Sequence, residues 1–67
     1  MNKREKFIKN LKNILKENNL TQKQLADMIC CSKTTISKWF LMQTQPTFDN
    51  IVKLIEVLNC SFEELIS

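Results

Sequence analysis

Two helix-start signals in close succession constrain this chain more than any other feature. Thr21 is followed three residues on by Gln24, a capping box in which the hydroxyl accepts a backbone N–H and the amide reaches back. Ser32 is a second good N-cap. Leu25, Ala26, Ile29 and Ile36 are the apolar positions that would pack the two helices against each other. The spacing predicts helices over about 22–29 and 33–41, joined by a tight turn. The second helix then turns Lys33, Thr34, Ser37 and Lys38 outward.

The rest of the chain reads as helix too. Phe7, Ile8, Leu11, Ile14 and Leu15 recur with helical spacing and form one stripe of a helix over about 3–18. Lys9, Lys12 and Lys16 fall largely off that stripe. Asn18 and Asn19 can stop it, because asparagine tolerates the left-handed conformation. Pro46 ends any continuation of the third helix. Thr47 caps a fourth, about 48–58, with Ile51, Leu54, Ile55 and Leu58 inward and Phe48 at its start. Ser61 with Glu64 forms another capping box and opens a short fifth helix, with Leu65 inward. Strand-like alternation, repeats and low-complexity runs are missing from the sequence. The expected architecture is all-α, five helices in a single domain over residues 1–67.

Sixty-seven residues support one small core, and chains of this size bury only about 60% of their unfolded surface. Net charge is +3 but uneven. Residues 1–38 hold nine Lys/Arg against three Asp/Glu, or +6; residues 39–67 hold Lys53 against Asp49, Glu56, Glu63 and Glu64, or −3. That asymmetry suits one face toward phosphates and another toward something else, although lysine-rich helices are also simply soluble. A short helix with small polar and basic residues on its free face fits the major groove of DNA.

The quoted segments resemble the helix-turn-helix of Cro and phage-repressor type, the xenobiotic-response-element class of regulators. The matching residues are Leu20-Thr21-Gln22, Leu25-Ala26, Cys31-Ser32, Thr35-Ile36-Ser37, Trp39, Pro46 and Leu58-Asn59-Cys60-Ser61. The resemblance covers roughly Phe7 to Leu65. The resemblance implies a lambda-repressor-like domain and a transcriptional regulator, foremost a small repressor of double-stranded DNA. It places base reading at Lys33, Thr34, Ser37 and Lys38. Phosphate contacts fall to Gln22, Lys23, Ser32, Gln43 and Thr44. Thr35 and Trp39 take structural roles, with Trp39 beneath the Pro46 loop.

Departures from the family pattern are informative. There is no glycine, so the places where relatives turn through positive φ hold Asn19, Cys30, Met42 and Asn59. Strain or altered geometry is expected at Cys30 and Met42, with the third helix running on into 41–43. The ion pair that relatives form between the first helix and the residue after the tryptophan is replaced by Leu15 and Phe40. Exchanging such a pair for packed hydrophobes is often neutral or stabilising. The loop 41–45 lacks the basic residues of relatives, so its phosphate contacts are neutral. Leu41 and Met42 either form a partner patch or pack on the fourth helix.

With three cysteines and no histidine, the chain lacks the four ligands of a structural zinc site. No metal and no cofactor are expected. Cys31 and Cys60 read as small buried apolar residues; Cys30 reads as exposed, with a redox-sensing thiol as the alternative. No nucleophile has an evident base partner, so an enzyme is not expected. No segment suits a membrane or a signal peptide, which implies a cytoplasmic protein.

One recognition helix covers only a few base pairs, so a homodimer on a palindromic operator is expected. Leu41, Met42, Phe62, Leu65 and Ile66 are its candidate surface. Two alternatives remain: an antitoxin or restriction-controller type protein binding DNA and a protein partner, and an interaction module that has lost DNA binding.

Overall fold

The computed structural model describes residues 2–67. Five helices follow one another: α1 (Lys3–Glu17), α2 (Gln22–Met28), α3 (Lys33–Phe40), α4 (Phe48–Leu58) and α5 (Phe62–Ile66). No strand occurs among the described residues.

Every helix begins on a side-chain cap, which satisfies a backbone N–H that the helix itself cannot. Asn2 accepts from Glu5 N at 2.8 Å. The Thr21–Gln24 box is complete, with Gln24 N donating to Thr21 Oγ1 at 3.1 Å and Thr21 N to Gln24 Oε1 at 2.8 Å. Ser32, Thr47 and Ser61 accept from Thr35 N, Asn50 N and Glu64 N in the same way. At Ser61 only this half of the expected box forms, since the Glu64 side chain makes no bond back.

The helix ends share one device. After α1, α2, α3 and α4 a single residue turns left-handed: Asn19 (φ 56°), Cys30 (60°), Met42 (62°) and Asn59 (52°). The next N–H then reaches back to a carbonyl five residues earlier, as in Leu20→Leu15, Cys31→Ala26, Gln43→Lys38 and Cys60→Ile55, at 2.8–3.2 Å. This is the Schellman closure, usually built on glycine. Its presence at Met42 corrects the expectation that α3 continues into 41–43. The helix stops at Phe40, because a left-handed residue reverses the chain and removes the next carbonyl from register.

One core joins all five helices. Phe7, Ile8, Leu11 and Leu15 come from α1, Leu25 and Ala26 from α2, with Ile29 at its cap. Ile36 and Trp39 come from α3, Leu54 and Leu58 from α4, and Leu65 from α5. Burying one such side chain contributes about 1.5–3 kcal/mol. α5 lies chiefly on α1, and α2 on α3. Asn10 fastens the former pair, its Nδ2 donating to the Leu65 carbonyl at 2.9 Å.

Leu65 itself is wholly buried. This corrects its assignment to a partner surface: with α5 seated on α1, its side chain fills the core. Leu41 and Met42 divide, Leu41 being exposed and Met42 half-buried against the core. Ile66 is also half-buried, whereas Phe62 is half-exposed. Phe48 stands out from α4, 79% exposed, so it lines a surface and not the start of a buried stripe. Cys31 and Cys60 are half-buried, less enclosed than expected, and Cys30 is exposed.

Phe40 lies at the core margin, against α1, where the Lys12 ammonium sits 5.5 Å from its ring centroid. This is a cation–π contact of an exposed lysine, worth about 0.5–1 kcal/mol. Leu15, one turn further along α1, is buried in the same cluster.

Candidate nucleic-acid interface

The free face of α3 is set by what the other face buries. Ile36 and Trp39 point into the core, so Lys33, Thr34 and Lys38 point away and are exposed. Ser32, also exposed, stays occupied locally. Its Oγ accepts the Thr35 N–H at 3.1 Å and lies 2.9 Å from the Thr35 hydroxyl. Thr35 therefore completes the cap, in line with a structural role.

Ser37 differs from the three exposed side chains. It is half-buried, and its hydroxyl donates to Gln22 Oε1 at 2.9 Å across the α2–α3 junction. The sequence assigns these two residues separate tasks, one on bases and one on phosphate. The fold brings them into one pair.

The remaining phosphate candidates are exposed. Lys23 forms an i,i+4 ion pair with Asp27 at 3.6 Å, both side chains largely in solvent. Such pairs hold little energy and yield readily to a phosphate. Gln43 and Thr44 lie in the loop after α3. That loop has a support the sequence did not disclose. Arg4, in the first turn of α1, donates through Nη2 to the Met42 carbonyl at 3.0 Å and the Thr44 carbonyl at 3.4 Å. A guanidinium is an apt partner for carbonyls at a helix C-terminus, where the backbone dipole is negative.

Charge follows the same division. Of the interface candidates, Lys23, Lys33 and Lys38 are cationic and none is acidic. Glu56, Glu63 and Glu64 lie on α4 and α5 instead. There Phe48, Ile51, Val52, Ile55 and Phe62 line a shallow apolar groove. The Cys60 thiol, at the start of that acidic segment, is pushed above its ordinary value of 9.0 by burial and then by the Glu64 carboxylate.

Among the described residues no group of three or more His, Cys, Asp or Glu is placed to hold a metal ion. No helix among them is long and apolar enough to cross a membrane.

A helix-turn-helix family matches residues 11–65, from the second half of α1 to the end of α5. No curated protein and no solved structure matches the chain.

Proposed function

This chain belongs to the helix-turn-helix family of Cro and phage-repressor type, which are DNA-binding transcriptional regulators, and we propose from that premise that it is a sequence-specific repressor. The observation that carries the reading is the exposed face of α3, where Lys33, Thr34 and Lys38 stand clear of the core. α3 enters the major groove. Lys33 and Lys38 donate to guanine O6 and N7, and the Thr34 methyl meets thymine. Gln22, Lys23, Ser32, Gln43 and Thr44 touch phosphates and set the register.

The domain acts from the cytoplasm as a homodimer on a palindromic operator. Its longest extent, 28 Å, is shorter than the roughly 34 Å between successive major grooves on one face of DNA. One copy therefore covers one half-site. The α4–α5 groove, flanked by Phe48 and Phe62 with Ile66 nearby, is the surface for the second copy. It is remote in charge from the basic elements and does not compete with them. The same exposed aromatics favour a second reading, an antitoxin or restriction-controller type protein that adds a different protein partner.

Selection from randomised duplexes tests the proposal. A palindromic consensus is expected. Lys33→Ala and Lys38→Ala should each relax preference at particular positions by about 1–3 kcal/mol. Unchanged affinity for selected and random duplexes alike would remove these residues from the site. Sedimentation at rising concentration, with and without the selected duplex, checks assembly: DNA should strengthen the dimer by linkage. A strict monomer on one half-site would refute it.

A further inference from the structure

We propose that Ser37 is a positioning residue for Gln22: it fixes the Gln22 amide so that the NH2 group is offered to a DNA phosphate, and it does not read a base. The inference rests on the DNA-binding reading and assigns a mechanism within it.

A serine hydroxyl has one proton. Here that proton is donated to Gln22 Oε1 at 2.9 Å. Toward DNA, Ser37 Oγ can then only accept. Phosphate oxygens are acceptors, as are guanine O6 and N7, adenine N7 and thymine O4. Most of what the groove presents therefore has nothing to gain from Ser37. Gln22 gains what Ser37 gives up. With its carbonyl oxygen engaged, the amide directs its two N–H donors outward, matched to a phosphate. The flipped amide would aim its oxygen at the phosphate and meet repulsion. Ser37 thus selects the useful one of two amide orientations before DNA arrives. It also restrains a long side chain whose rotamer freedom is otherwise lost on binding. The two residues lie 15 apart in the chain, on different helices. The pair therefore also fixes Gln22 relative to the reading face of α3.

The test uses the whole chain, a consensus duplex from a randomised pool, and a duplex of unrelated sequence. Ser37→Ala keeps the fold, since Ser37 lies outside the core and alanine is the better helix former. It should weaken both duplexes alike, by about three- to tenfold, with base preference unchanged. Gln22→Ala should cost at least as much, and the double variant no more than Gln22→Ala alone. The salt dependence should keep its slope, because no ionic contact is lost, whereas Lys23→Ala should make it shallower. Ser37→Thr retains the hydroxyl and should restore most of the affinity. In the free protein, the Gln22 side-chain NH2 resonances should move in Ser37→Ala while those of exposed Gln45 stay put. Altered preference at one or two base positions, losses that add to those of Gln22→Ala, or unmoved Gln22 resonances would each overturn the assignment. A wild-type chain that binds neither duplex would overturn the DNA-binding reading, and this assignment with it.

Discussion

Replacing Cys30 by glycine should stabilise the protein, and replacing Met42 by glycine should not, although both residues occupy the same backbone conformation. A side chain with a Cβ costs about 1–2 kcal/mol in the left-handed region. Glycine avoids that cost but brings about 0.5–1 kcal/mol of extra unfolded-state freedom. The net backbone gain is about 0.5–1 kcal/mol at either site. Cys30 is exposed, so nothing opposes the gain. Met42 is half-buried against the core, and half of a methionine's burial is worth about 1 kcal/mol. There the two effects cancel or the loss wins. For a domain of this size 1 kcal/mol moves Tm by roughly 4–8 °C. Urea titration and thermal melts should therefore show Cys30→Gly about 2–8 °C more stable and Met42→Gly level or lower. Asn19→Gly and Asn59→Gly should gain less than Cys30→Gly, because asparagine already tolerates the conformation. A neutral or destabilising Cys30→Gly would refute the reasoning, as would a Met42→Gly that gains as much as Cys30→Gly.

Leu15→Arg buries an unpaired charge and should cost about 3 kcal/mol or more; adding Phe40→Glu should recover part of it, and strictly additive denaturation energies would show the two sites are uncoupled. Leu65→Ala should cost about 2–5 kcal/mol, since the side chain is wholly buried. Phe62→Ala, at a half-exposed site, should cost far less, and equal losses in chemical denaturation would contradict the seating of α5. Cys60 has a folded-state pKa raised above 9.0. Its contribution to stability is therefore complete below about pH 9 and declines as pH rises from there through the folded value. Glu64→Gln should make that decline smaller and end it at a lower pH, by removing one cause of the raised pKa, and identical alkaline denaturation profiles for wild type and Glu64→Gln would contradict the Glu64 influence.

The helix starts were legible because a capping hydroxyl or amide acts on backbone N–H groups three residues away, so the signal stays local. The left-handed positions were legible because four helices had to end without a glycine, and Asn19 and Asn59 marked two of the ends. What the chain concealed was of another kind. Arg4 and Asn10 both bind backbone carbonyls distant in sequence, and every residue has a carbonyl, so the acceptor leaves no trace. The partner-surface assignment of Leu65 failed because α5 is little more than one turn, too short for a 3.6-residue period to say which of its apolar residues is buried. Within the interface, Lys33, Thr34 and Lys38 emerge exposed as the pattern implied. The Ser37–Gln22 bond was hidden, because two ordinary polar side chains meet only once α2 and α3 are packed.

Arg4 lies in the first turn of α1, outside the matched stretch 11–65, and holds the carbonyls of Met42 and Thr44. Helix ends fray, opening at far lower free energy than the core. The loop after α3 is thereby coupled to a turn 38 residues earlier. The two segments should therefore open together, with amide exchange that rises and falls in step. A ligand that orders the loop should also slow exchange in the first turn of α1, and a substitution that melts that turn should raise the entropy lost when the loop is ordered.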